Sequence, residues 1–204
     1  NLWTFNRDKA VRSWARDNKV DWIETPKNGV VRNLGDRNGW SQRWYATMSA
    51  TLTFPPTKIE SLKVRSDNIP EALDLNLSTE QVASSQTATR LAAINTLNSF
   101  LNSRGHNYTF EMSSPITAEN SCSRISPYLA FGQISIREAY QITVKRVREL
   151  RGVDPKYSKS LKSFSSRLRW HCHFMQKLED QPDIENKTLH SSFENLRPSL
   201  GDQK

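Results

Sequence analysis

Between Ser121 and Gly132 the chain reads Ser-Cys-Ser-Arg-Ile-Ser-Pro-Tyr-Leu-Ala-Phe-Gly, and these residue types suit the capture of a phosphate. Ser126 is a good helix N-cap, and Pro127 is at home at the first helical position. The short helix this implies stops at Gly132. Its first turn offers unpaired backbone N–H groups and the positive end of the peptide dipoles. The hydroxyls of Ser121, Ser123 and Ser126 stand beside it with Arg124 between them, the donor set of a phosphate or pyrophosphate site. On the local residues alone, an ordinary capped helix start accounts for the same pattern, because Ser-Pro starts are common.

A second set lies further along. Arg167, Trp170 and Phe174 share one helical flank beside a buried stripe, and Arg169 and Lys177 add positive charge. A basic surface carrying aromatic rings suits an unstacked base. The same spacing also fits two rings that widen the core stripe. His171, Cys172 and His173 are contiguous, and contiguous helical positions point apart, so no metal site is expected there.

The elements that must position these groups follow from pattern and composition. The 204 residues hold 29 Lys and Arg against 21 Asp and Glu, a net charge of +8 that favours anionic partners, nucleic acid first. Six tryptophans argue for a packed core. Two cysteines give no disulfide framework and read as reduced thiols in a cytoplasmic protein. No run approaches the roughly 18 apolar residues of a membrane span. The start without Met and the polar end Gly201-Asp202-Gln203-Lys204 read as the marks of an excised piece.

Asn6 is expected to cap a first helix with the stripe Ala10, Val11, Trp14 and Ala15. A short strand is expected over 20–25, a turn at Lys27-Asn28-Gly29, and a second helix after Asn38-Gly39 with Trp40, Trp44 and Met48 on one side. Residues 51–77 read as a connector, since Pro55, Pro56 and Pro70 forbid a long helix. From Ser78 the reading is helical. Ser78 and Gln81 form a capping box, and a stripe of Leu91, Ile94, Leu97 and Leu101 runs to a stop at Gly105. Ser135 and Glu138 form a second capping box, opening a helix through Ala139, Tyr140, Thr143, Val147 and Leu150. A third helix is expected over 160–178, with the stripe Phe164, Leu168, His171, Met175 and Leu178, closed by Pro182.

The stretch Ser123-Arg124-Ile125-Ser126-Pro127-Tyr128-Leu129-Ala130-Phe131-Gly132-Gln133-Ile134-Ser135 resembles the flavin-binding signature of the DNA photolyase/cryptochrome family. Leu97-Asn98-Ser99-Phe100-Leu101, Tyr108 and the run from Met112 to Pro115 resemble the preceding helix and loop. Leu168-Arg169-Trp170-His171-Cys172-His173-Phe174 resembles the family's Leu-x-Trp helix. Thr4-Phe5-Asn6-Arg7-Asp8-Lys9-Ala10-Val11 and Gly29-Val30-Val31-Arg32 resemble the end of its α/β antenna domain. The likeness keeps its order over most of the chain.

The resemblance implies a mainly α fold. Residues 78–204 would be the helical first half of a photolyase-type FAD-binding domain. A small α/β remnant of the antenna domain would precede it over 1–50, joined by the 51–77 connector. It implies FAD as cofactor, its diphosphate held by Cys122, Ser123, Arg124, Ile125 and Ser126, with Tyr108 and Phe164 also against it. It implies that Arg167, Trp170, His171 and Phe174 face DNA containing a pyrimidine dimer, with Trp170 lining the cavity for the flipped lesion. The expected activity is that of a deoxyribodipyrimidine photo-lyase acting as a monomer. The catalytic residues, the tryptophan chain and any antenna pigment are expected outside this chain, and Phe193-Glu194-Asn195-Leu196-Arg197-Pro198 resembles the connector leading to that region. A cryptochrome-like photosensor and a flavin-free helical nucleic-acid binder are the other readings. Two departures stand out: His171-Cys172-His173 replaces the common Arg-Glu pair, and Gln86-Thr87 or Thr87-Ala88 stands where many relatives have Gly-Gly.

Overall fold

The computed structural model describes residues 2–25, 29–61, 63–78 and 86–193. Among them are eight α-helices and no strand: α1 (Leu2–Asp17), α2 (Trp40–Ser49), α3 (Arg90–Asn102), α4 (Tyr108–Glu111), α5 (Ala118–Ser121), α6 (Ser126–Ala130), α7 (Ile136–Leu150) and α8 (Pro155–Asp180). The mainly helical expectation holds. None of these helices is long and apolar enough to cross a membrane.

α7 and α8 form a hairpin that carries the rest. The hydroxyl of Ser135 accepts from the Glu138 N–H at 3.0 Å, so the expected cap of α7 forms. Glu138 does not reach back to close the box; its carboxylate takes Arg90 at 2.6 and 3.0 Å. Ala139, Thr143, Val147 and Leu150 are buried as the spacing predicts. α8 starts earlier than expected, at Pro155. Asp154 accepts from the Tyr157 N–H at 2.9 Å, and proline takes the first helical position. The buried stripe of α8 is Tyr157, Leu161, Phe164, Leu168, Cys172 and Gln176. Past Leu168 this stripe runs one position C-terminal of the expected His171 and Met175, because the contacts advance by four residues rather than three.

α2 lays Trp40, Trp44 and Met48 into the same core, as their spacing predicts. α3 contributes Ala93, Leu97, Phe100 and Leu101, whereas Leu91, expected on that stripe, is 70% exposed. Thr89 caps α3 through the Ala92 N–H at 3.1 Å. Ser78, expected to open this helix, lies in irregular chain, and its partner Gln81 falls outside the described residues. Gly105 does not stop α3, which ends at Asn102. It sits in the 3-10 turn Arg104–Asn107, where a Cβ would lie 2.7 Å from the Phe100 carbonyl oxygen. The glycine is there for close approach, not for a left-handed cap.

The stretch 2–25 departs most from expectation. α1 is already formed at Leu2, so Asn6 is an exposed interior residue rather than its cap. Of its expected stripe only Ala15 is buried, and Trp14 is 58% exposed. Residues 20–25 are irregular, and the strand expected there does not form, since no neighbouring strand is present among the described residues to pair with it. The turn expected at Lys27-Asn28 falls outside the described residues. The described part of 51–77 holds no helix, only a turn at 72–76.

Candidate phosphate-binding cavity

The loop from Cys122 to Ile125 leads from α5 into α6, and its shape is set from behind by one side chain. Arg104 follows α3, and its guanidinium donates to four backbone carbonyls: Asn120 at 3.2 Å, Cys122 at 2.6 Å, Ser123 at 3.3 Å and Thr96 at 3.2 Å. Its Nε donates to Ser99 Oγ at 2.8 Å. The sequence reading missed Arg104. Nothing in its spacing marks it, since a charged residue after a helix reads as solvated.

Arg124 takes a left-handed backbone, φ 61°, uncommon for a residue with a Cβ. Its carbonyl accepts from the Gln86 side chain at 3.0 Å, and its guanidinium lies 3.9 Å from Glu119. Gln86, noted only as a departure from Gly-Gly, thus supports the loop through its side chain. α6 begins at Ser126 itself, with Ile125 at the cap position, so the expected Ser126 side-chain cap does not form. Pro127 is in the first turn as expected, and the helix ends in a left-handed Gly132, with Gln133 N–H donating to the Tyr128 carbonyl at 3.0 Å.

Tyr108, Cys122, Ser123, Arg124, Ile125, Ser126 and Phe164 all line one cavity of about 320 Å³, together with Arg167, Leu168 and His171. Every residue expected at the cofactor is therefore on its wall. Ser121 is not; it is buried and donates its hydroxyl to the Glu111 carboxylate instead. The floor is a ring cluster. Phe164 stands edge-on to Phe100 at 4.7 Å and to Tyr108 at 6.0 Å. Burial raises the Tyr108 hydroxyl pKa, with Cys122 adding to it and the Arg167 cation opposing. Burial likewise pushes the Cys122 thiol up, against the pull of Arg104 and Arg124. Both groups are neutral at pH 7, so the fixed charges at the wall are positive: Arg124 and Arg167. Neither Cys122 nor Cys172 is in a disulfide.

The four residues expected on the DNA side divide between two places. Trp170 and Phe174 are 45% and 56% exposed, with ring centroids 5.8 Å apart, so they do not widen the core stripe. Arg167 spans both places: it lines the cavity, and its guanidinium sits 5.5 Å from the Trp170 ring centroid. His171 lines the cavity. His173, which the sequence reading did not select, extends the ring row to Trp40 at 5.9 Å and meets Arg37 through Nδ1 at 3.2 Å. Burial, then Arg37, Lys177 and Arg169, lower its pKa, so it is a neutral ring near pH 7.

The wall combines hydroxyls, guanidinium groups and loop backbone with the aromatic rings of Tyr108 and Phe164. That set fits a diphosphate lying against an apolar group. In comparisons with known proteins, no family model, no curated protein and no solved structure matches the chain.

Proposed function

We propose that this chain is the diphosphate-holding part of a flavin photolyase, a cytoplasmic enzyme that repairs cyclobutane pyrimidine dimers in DNA with light. One observation carries the reading. Residues selected from three separate stretches, Tyr108, the run Cys122 to Ser126, and Phe164, line a single cavity beside an exposed Arg167–Trp170–Phe174 face. A cavity of about 320 Å³ is at the small end of ligand sites and suits a diphosphate and its immediate neighbours rather than a whole flavin dinucleotide. This agrees with a flavin ring held mostly by residues outside the chain.

On this reading Ser123, Ser126 and the loop backbone grip the phosphates, and Arg124 and Arg167 balance their charge. Phe164 and Tyr108 exclude water from the apolar side. Trp170 and Phe174 offer stacking faces to a flipped pyrimidine pair, and Arg167 draws the phosphate backbone near. Bound FAD would supply the electron that opens the cyclobutane ring.

Titrating the chain with FAD and with ADP, followed by flavin fluorescence and by calorimetry, tests the grip. Ser123→Asp places a carboxylate against the phosphates and is expected to weaken both ligands by about tenfold or more. Wild-type chain that ignores both ligands, or a variant that binds them unchanged, ends the reading. For the DNA side, Trp170→Ala is expected to weaken binding to a dimer-containing oligonucleotide by about 1–3 kcal/mol. If the chain binds such DNA but takes up no flavin, the flavin-free nucleic-acid binder is the better description.

A further inference from the structure

We infer that Arg104 is the positioning residue of the phosphate cradle: by holding the carbonyls of Cys122 and Ser123 from behind, it turns the loop's N–H groups toward the cavity. The inference rests on the phosphate-binding reading of the site and adds the device that shapes it.

The reasoning is covalent. In a planar trans peptide the C=O of one residue and the N–H of the next point in opposite directions. Arg104 takes the Cys122 carbonyl at 2.6 Å and the Ser123 carbonyl at 3.3 Å. The N–H groups of Ser123 and Arg124 therefore point away from Arg104. Cys122, Ser123 and Arg124 line the cavity, and Arg104 does not. Two successive peptides are thus turned alike, the second leading into the left-handed Arg124, which offers their N–H groups to an anion on the side away from Arg104. Gln86 secures the third carbonyl of the series, that of Arg124, at 3.0 Å.

A lysine could not do this. Its ammonium is a point charge, whereas the planar guanidinium reaches one carbonyl on α3, one on α5 and two in the loop. Arg104 also does not compete for the ligand, since its donors are spent on protein oxygens.

The test compares wild type, Arg104→Lys and Arg104→Met for calorimetric binding of FAD, inorganic pyrophosphate and riboflavin, which has no phosphate. Far-ultraviolet dichroism and the unfolding midpoint verify folding. Arg104→Lys is expected to fold and to lose about tenfold or more in affinity for FAD and pyrophosphate, with riboflavin binding, strong or weak, unchanged. Amide resonances of Ser123 and Arg124 should shift on adding pyrophosphate to wild type and stay put in the lysine variant. A folded lysine variant that keeps wild-type affinity for pyrophosphate overturns the inference. So does an equal loss of riboflavin and FAD, which would mean a general collapse of the cavity. Binding of pyrophosphate without FAD by wild type would remove the flavin reading while leaving the role of Arg104 to be decided by the same variants. Wild type that takes up neither removes both.

Discussion

The loop around Arg124 shows how much of a cavity wall rests on residues that do not line it. Ser123 and Ser126 were readable because hydroxyls beside a Ser-Pro start have a known use. Arg104 and Gln86 were not, because their partners are backbone oxygens that no side-chain pattern advertises. Tyr157 is a similar case. Its hydroxyl donates to the Phe100 carbonyl at 2.5 Å, and burial pushes its pKa up to about 12. The folded chain then keeps this proton where the unfolded chain, with an ordinary tyrosine near 10, has lost it. The stabilisation is whole below pH 10 and is lost as pH rises toward 12. Tyr157→Phe is expected to cost about 1–2 kcal/mol at pH 8. Urea unfolding at pH 8 and pH 11.5 should show the variant losing less stability across that interval than wild type.

At the scale of elements, the helices were legible wherever a cap and a repeating stripe agreed. α7 had both, and its start and buried face came out as the spacing predicts. Ser135→Ala removes that cap and should lower stability by about 1 kcal/mol, read as a fall in the thermal midpoint. α8 was legible in kind, and in phase only as far as Leu168. The expected stripe included His171 and Met175, whereas Cys172 and Gln176 are the buried residues. A glutamine does not announce itself as core, so the polar member of the stripe misled the reading. α1 failed for the opposite reason. Its apolar residues recur at helical spacing, yet Trp3 and Trp14 are 69% and 58% exposed. The 20–25 segment had strand-like residues and no strand beside it. Periodicity reports which residues could share a face; it does not report what covers that face. The cavity escaped local pattern as well. Tyr108 and Phe164 entered the expected site only through a family likeness spread along the chain, and it is the fold of α4 and α8 that brings them to the loop.

Across the whole molecule, Gln176 ties the front of the chain to its back. Its amide accepts from the Val31 N–H at 2.7 Å and from Trp40 Nε1 at 3.3 Å. It donates to the Val31 carbonyl at 2.9 Å and to Asp180 at 2.7 Å. Gln176→Leu leaves those backbone groups unanswered inside protein and is expected to cost about 3 kcal/mol in chemical unfolding. Dissection of the chain meets the same obstacle. A polypeptide beginning at residue 51 would have an open trench along α7 and α8 where Trp40, Trp44 and Met48 lay. Its near-ultraviolet dichroism should be flat, and it should bind a hydrophobic dye that the intact chain ignores. The irregular stretch after residue 50 is thus a poor place to cut, however much it reads like a hinge between separable parts.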